Sequence, residues 1–364
     1  MDSKYLSIKD AIIKNGSLYT IDIDSWLFIE YKLNTGEKRI IVDIQPKDYE
    51  GLCWIQKILT VGDRYYFIQR NSKGIVQLDN NGNIIRYGEE YELGDDTCLL
   101  YMTGFVSNSK IYMLPYYASG VISVFDIKSN KYESDISMSE LLSQDEMNDD
   151  IIGGYVWNHG KDTIWFCVGD KIIEINMHEM KSRIVSKLKH DKPLRISGNE
   201  NNIVIYEKEG NHYYLYNTNN KKLTLHELEE KSVNISFVEI IQNKIAIISG
   251  NQEKLYLSDI DDNNYESMSF PEESELKYDV RRFDSKYSGI KQVENKLYCL
   301  PFSTNGIVVF DNETRNMKFF ELIVDKNYIL AKNIKKIYRS KKILIESETV
   351  NLKGYCKYCE KQLG

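Results

Sequence analysis

The chain has 364 residues, with 47 Lys and Arg against 54 Asp and Glu, for a formal charge of −7. That acidic balance argues against a broad basic face for nucleic acid, and no apolar run of about 18 residues is present to span a membrane. Tyrosine is abundant, at 27 residues, while alanine occurs only at Ala11, Ala118, Ala246 and Ala331, a balance that suits strands better than helices.

The first residues, MDSKYLSIKDAIIKNG, contain no apolar stretch of the kind a secretion signal needs. Cysteines stand at positions 53, 98, 167, 299, 356 and 359, and the first four lie in apolar, strand-like segments. Both features lead to the expectation of a cytoplasmic protein with reduced thiols.

Further along the chain, one plan recurs. Residues 17–32 read SLYTIDIDSWLFIEYK and residues 64–79 read RYYFIQRNSKGIVQLD. Residues 110–126 (KIYMLPYYASGVISVFD) and 163–176 (TIWFCVGDKIIEIN) follow. Then come residues 202–217 (NIVIYEKEGNHYYLYN), 244–259 (KIAIISGNQEKLYLSD) and 296–311 (KLYCLPFSTNGIVVFD). The second and last copies align without a gap, sharing Tyr66/Tyr298, Gly74/Gly306, Ile75/Ile307, Val76/Val308 and Asp79/Asp311. Equivalent positions are 19, 66, 112, 165, 204, 246 and 298, separated by 39 to 53 residues.

Each copy reads as a strand, a polar turn and a second strand ending in Asp or a similar residue. A short apolar stretch precedes it. A turn such as DNNGN, NTNNKK or DNETRN and a last short strand follow it. Four strands per unit, joined by hairpins and repeated every 40–50 residues or so, predict an all-β fold, a β-propeller of four-stranded blades. Seven units are complete. Segments 334–339 and 343–346 read either as ring-closing strands or as the start of an eighth blade.

This plan, clearest in the form LYCLP followed by NGIVVFD, resembles bacterial β-propeller repeats of the Kelch-like and WD40-like kind. The resemblance implies a ring of blades, seven by the count above, with eight or six as alternatives. The paired glycines of a Kelch blade and the Gly-His and Trp-Asp pairs of WD40 repeats are missing. The reading is one propeller domain over residues 1–364. Ser137 before Glu140 and the Leu141-Leu142 pair predicts a short helical insertion at 138–148. A second helix is expected within 271–283, and residues 347–364 form a tail.

No phosphate loop, HExxH or GxSxG motif is present. The histidines are scattered, and His159 and His212 fall in turns expected on opposite faces, which separates them as a pair with Asp24 or Glu207. Cys356 and Cys359 form a weak metal candidate, half of a zinc site without a second pair. The Asp79 segment reads as a tight turn rather than a calcium loop. No cofactor is expected.

The turns between second and third strands are richer. They carry Trp26, Arg70, Tyr116, Tyr117, His212 and Phe302, aromatic and Arg residues of the type that dominates protein contact sites. The expectation is a non-enzymatic scaffold binding a protein or peptide through this face, without nucleic acid or membrane. Two alternatives stay open: an enzyme acting on a sugar or peptide at the central channel, or a sensor of a glycan or small ligand.

Overall fold

A computed structural model describes residues 3–325 apart from 6–7, 23–24, 46–54, 89–98, 144–150, 191, 229–231, 251, 261, 263, 275–286, 303 and 305. Strand β1 (Ser3–Tyr5) comes first. Blade 1 holds β2 (Ile8–Lys14), β3 (Ser17–Asp22), β4 (Leu27–Lys32) and β5 (Lys38–Asp43). Blade 2 holds β6 (Ile55–Val61), β7 (Arg64–Gln69), β8 (Ile75–Leu78) and β9 (Ile84–Tyr87). Blade 3 holds β10 (Tyr101–Ser107), β11 (Lys110–Pro115), β12 (Val121–Asp126) and a split outer strand, β13 (Lys131–Tyr132) and β14 (Ile136–Ser137).

Blade 4 holds β15 (Ile152–Asn158), β16 (Thr163–Val168), β17 (Lys171–Asn176) and β18 (Lys181–Lys187). Blade 5 holds β19 (Leu194–Gly198), β20 (Asn202–Glu207), β21 (His212–Asn217) and β22 (Lys222–Glu227). Blade 6 holds β23 (Ile235–Ile241), β24 (Lys244–Ser249), β25 (Lys254–Asp259) and β26 (Glu266–Ser269). Blade 7 holds β27 (Tyr287–Val293), β28 (Lys296–Pro301), β29 (Gly306–Asp311) and β30 (Met317–Glu321), and β31 (Ile323–Asp325) follows.

Within every blade, successive strands pair antiparallel in chain order, except that β13 and β14 of blade 3 both pair with β12. The first strands of neighbouring blades contact one another around the ring, so they are the innermost. The result is a seven-bladed β-propeller. All seven repeat positions, from Tyr19 to Tyr298, fall on the second strand of a blade. The turns between second and third strands share one face with the links between blades, called the loop face below.

The core is divided into seven clusters, one at each junction between blades. Ile21, Phe28 and Phe67 pack between blades 1 and 2, and Tyr66, Ile68 and Phe125 between blades 2 and 3. Phe105 meets Phe166, Trp165 meets Tyr216, and Tyr213 lies with Val238 at the next three junctions. Ile248 and Phe310 fill the junction of blades 6 and 7, and Leu300 and Val309 join Leu18 and Ile29 where blade 7 meets blade 1. Both faces of each sheet are therefore covered. The second strands are apolar almost without alternation because adjacent residues serve opposite junctions.

The Asp or Asn that ends many of the third strands closes the next hairpin. Asp79 Oδ1 accepts the Asn81 and Asn83 N–H groups, and Asp126 Oδ1 accepts that of Ser129. Asn176, Asn217 and Asp311 accept two backbone N–H groups each. Such turns satisfy backbone donors locally, which explains why the residue recurs.

Ring closure is separate from the blades. β1 pairs antiparallel with β31, matching Ser3 to Asp325 and Tyr5 to Ile323. This clasp lies just after blade 7. The segments 334–339 and 343–346, and the tail at 347–364 with Cys356 and Cys359, lie outside the described residues. Helix α1 (Met138–Leu141) starts at Ser137, whose side chain accepts the Ser139 N–H, and buries Met138 and Leu141. It is one turn long among the described residues, against the expected 138–148. Within 271–283 a 3₁₀ turn occupies Glu272–Ser274.

Phe67 is fully buried, with its ring 5.1 Å from that of Phe28 across the junction. Phe67→Ala is expected to lower unfolding free energy by about 3–5 kcal/mol. Asn217→Ala, which removes two turn bonds and the bond from Asn217 Nδ2 to Asn202 Oδ1, is expected to lower it by about 1–2 kcal/mol. Urea titrations that rank the two in the reverse order contradict the junction-centred account.

Candidate functional site

The innermost strands line a central cavity of about 370 Å³ at the end of the channel nearer the loop face. Its walls are the leading halves of the seven first strands. Six of these strands carry a register shift near their start, for example between Ile55 and Lys57 and between Tyr287 and Gly289. Each shift inserts extra backbone on the inner strand and re-aims the neighbouring side chains. In blade 4 the shift is made by Gly153 and Gly154. A Cβ on Gly153 would stand 2.2 Å from the Leu194 carbonyl oxygen, so blade 5 can approach only because the side chain is missing.

Six charged residues line this cavity: Lys9, Lys57, Arg195 and Lys291, with Asp10 and Glu239. Asp10, on β2, is buried and lies at the centre of a cluster. Its carboxylate is 3.0 Å from Lys291 Nζ and 3.2 Å from Lys57 Nζ, and it accepts the Ile58 N–H at 3.0 Å. Burial alone would raise the Asp10 carboxyl. The two ammonium groups and the amide overcome it and hold the carboxyl well below the usual range. The Asp10 charge in turn raises Lys291, while burial lowers Lys57 despite the same partner.

Glu239, on β23, has a different environment. Ser197 donates to Glu239 Oε1 at 2.8 Å, and Lys291 and Lys57 also favour its charged form. Burial outweighs them and pushes the carboxyl up to about 7. One wall of the cavity thus holds a fixed carboxylate and another a carboxyl that titrates near neutrality.

Nearer the mouth, Lys9 Nζ lies 5.7 Å from the centre of the Phe302 ring. Arg70 stacks over Tyr116 at 5.1 Å, and Tyr116 meets Tyr117 edge-on at 5.4 Å. Lys9 is solvent-exposed and lines the cavity. Nearby protein atoms and the charges of Arg70 and Arg195 lower its pKa, against the opposing pull of Asp10.

The expected loop-face residues therefore divide. Arg70, Tyr116 and Tyr117 form one group, and Phe302 meets Lys9 beside it. His212 stands apart in blade 5, with Nε2 3.6 Å from Glu207 Oε1. Trp26 requires a correction: it is fully buried between blades 1 and 2. The Ser25 and Trp26 N–H groups both bond the Asp22 carbonyl, and Trp26 takes a positive φ of 61°. That tight turn folds the indole inward, away from any partner. His159 lies in the turn between first and second strands, His212 at the start of a third strand, on opposite faces as expected.

The channel charges were not among the sequence candidates. A signal for them exists in the register. Opposite the seven repeat positions stand Ile12, Leu59, Phe105, Val156, Ser197, Glu239 and Lys291. Blades 1–4 place apolar residues there and blades 5–7 place polar ones.

The solved structures that share the fold include the following three. Virginiamycin B lyase from Staphylococcus aureus, in a complex with quinupristin, matches with a TM-score of 0.56 at 12% identity, over 74% of this chain and 85% of that one. The extracellular domain of the two component system BT4673 from B. thetaiotaomicron gives 0.60 at 11%, over 87% of this chain and 41% of that one. BamB from Moraxella catarrhalis gives 0.51 at 13%, over 84% and 83%. Identity at this level shows a common fold and nothing finer. No protein-family model and no curated protein sequence matches the chain.

The titration of Glu239 has a measurable sign. An unfolded Glu titrates near about 4.3, so the raised native value stabilises the fold fully below that pH. This contribution is lost as pH rises through about 7. Glu239→Gln is expected to gain stability relative to the native protein between pH 5 and pH 8, by roughly 1–3 kcal/mol. Urea unfolding at both pH values that gives one constant difference contradicts this environment for Glu239.

Proposed function

We propose that the protein is a binding module that receives a protein or peptide partner on its loop face, over the mouth of the channel. The observation that carries this reading is a pair of cation–aromatic contacts on the loop face, Lys9 over the Phe302 ring and Arg70 over Tyr116, with Lys9 lining the central cavity. Cations over aromatic rings beside a concave site are features of contact sites for protein segments. The Kelch-like and WD40-like cast of the repeats fits the same role by fold-level analogy. The solved neighbours include a lyase, a sensor domain and BamB, so the fold admits other roles.

We place the protein in the cytoplasm. Cys167 and Cys299, the two cysteines among the described residues, are buried free thiols, which suits a reducing compartment. The net charge of −7 favours a partner other than nucleic acid.

A second reading rests on Glu239 alone. A carboxyl near pKa 7 lining the central cavity suits proton transfer, as in an enzyme. A metabolite extract incubated with native protein and with Glu239→Gln separates this case. Product formed by the native protein alone supports it.

The main reading is tested by affinity capture from the source organism's lysate. The native protein is expected to retain a partner that the variant with Ala at Tyr116, Tyr117 and Phe302 loses. Trp26→Phe, altered only in the core, is expected to retain it. Equal capture by the native and triple-variant proteins counts against the loop face.

A further inference from the structure

The channel carries the opposite charge balance to the rest of the chain. Four of its six charged residues are cations, in a protein whose formal charge is −7. Its charges are also unequally committed. The Asp10 carboxylate is shared by Lys57, Lys291 and the Ile58 N–H. Glu239 is held by the Ser197 hydroxyl.

Lys9 and Arg195 have no such partner. Among the described residues neither forms an ion pair with a carboxylate. Lys9 lies over the Phe302 ring, and the Arg195 guanidinium gives one bond, from Nη1 to the Leu194 carbonyl at 3.1 Å. Both line the same cavity, from blades 1 and 5, and the Arg195 charge disfavours that of Lys9. Two cations that face one cavity without a bonded carboxylate offer an anion a place between them. The cavity, at about 370 Å³, has room for a small oxyanion and the group bearing it. The guanidinium fork matches either a carboxylate or a phosphate.

We propose that Lys9 and Arg195 form an oxyanion clamp in the channel, holding a carboxylate or phosphate group of the ligand that enters from the loop face. The proposal rests on the loop face being the side of entry. It gives the ligand an acidic group seated between blades 1 and 5. Phe302 fixes the Lys9 side chain at the rim, and the Asp10 cluster below adds one further net positive charge.

Inorganic phosphate and succinate serve as separate probes, titrated calorimetrically against the full chain at constant ionic strength with chloride as the balancing ion. At least one probe is expected to bind saturably, and the stronger one names the class of oxyanion. Lys9→Met and Arg195→Met are each expected to weaken that binding at least tenfold. Lys296→Met, exposed on the opposite face, is expected to bind as the native protein does. Without probe, in low salt, the two channel variants are expected to melt no lower than the native protein, because neither loses an ion pair with a carboxylate.

Absence of saturable binding by both probes overturns the clamp. So does native affinity in Lys9→Met and Arg195→Met, or a drop of several degrees in the melting temperature of both. Partner capture that depends on Tyr116, Tyr117 and Phe302, with no anion bound, removes the clamp and leaves the loop-face reading in place. Clamp-dependent anion binding with capture unaffected by those residues does the reverse.

Discussion

Every sheet in this ring must bury two faces, and the protein meets that demand seven times over with the same contact: side chains of one blade pressed into those of the next. A single blade could not do it alone, since each of its faces needs a neighbour. Phe28 and Phe67 illustrate the rule, because they belong to different blades and meet edge to face at 5.1 Å. The junction of blades 7 and 1 is built the same way, from Leu300 and Val309 against Leu18 and Ile29. Its apolar core follows the pattern of the other six junctions.

This arrangement sets what the centre can be. The inner strands are held by their blades and cannot collapse onto one another, so the channel stays open without its own apolar filling. Charged side chains can then stand there. Their desolvation is offset locally, by the Asp10, Lys57 and Lys291 cluster and the Ile58 amide, while the surrounding junctions supply the net stability. The register shifts on six inner strands serve the same end by turning side chains toward the axis.

The fold was legible because its signals are local. The pairing of Tyr66 with Tyr298 and of Asp79 with Asp311 reflects a strand buried on both faces and a hairpin closed by a carboxylate. Both are properties of a few adjacent residues. The site was less legible because its parts are brought together by the ring. Lys57 within IQKIL or Glu239 within FVEII reads as the wet side of an ordinary strand. Only the ring places Lys57 beside Asp10, 47 residues earlier. Trp26 was misplaced for a related reason. Its turn looks like its equivalents in sequence, but two N–H groups converging on the Asp22 carbonyl rotate the chain and send the indole into the core.

The clasp between β1 and β31 lies outside the blades, so each of the seven sheets comes from one unbroken stretch of chain. No blade is shared between the two ends. Opening the ring at another link between blades and joining the present ends would leave every sheet whole, and only the clasp would need rebuilding. A blade can likewise be copied or deleted as one segment of a gene without re-pairing strands elsewhere. Ring size in such a chain is open to change by duplication, limited by the geometry of the junctions rather than by how its ends are tied.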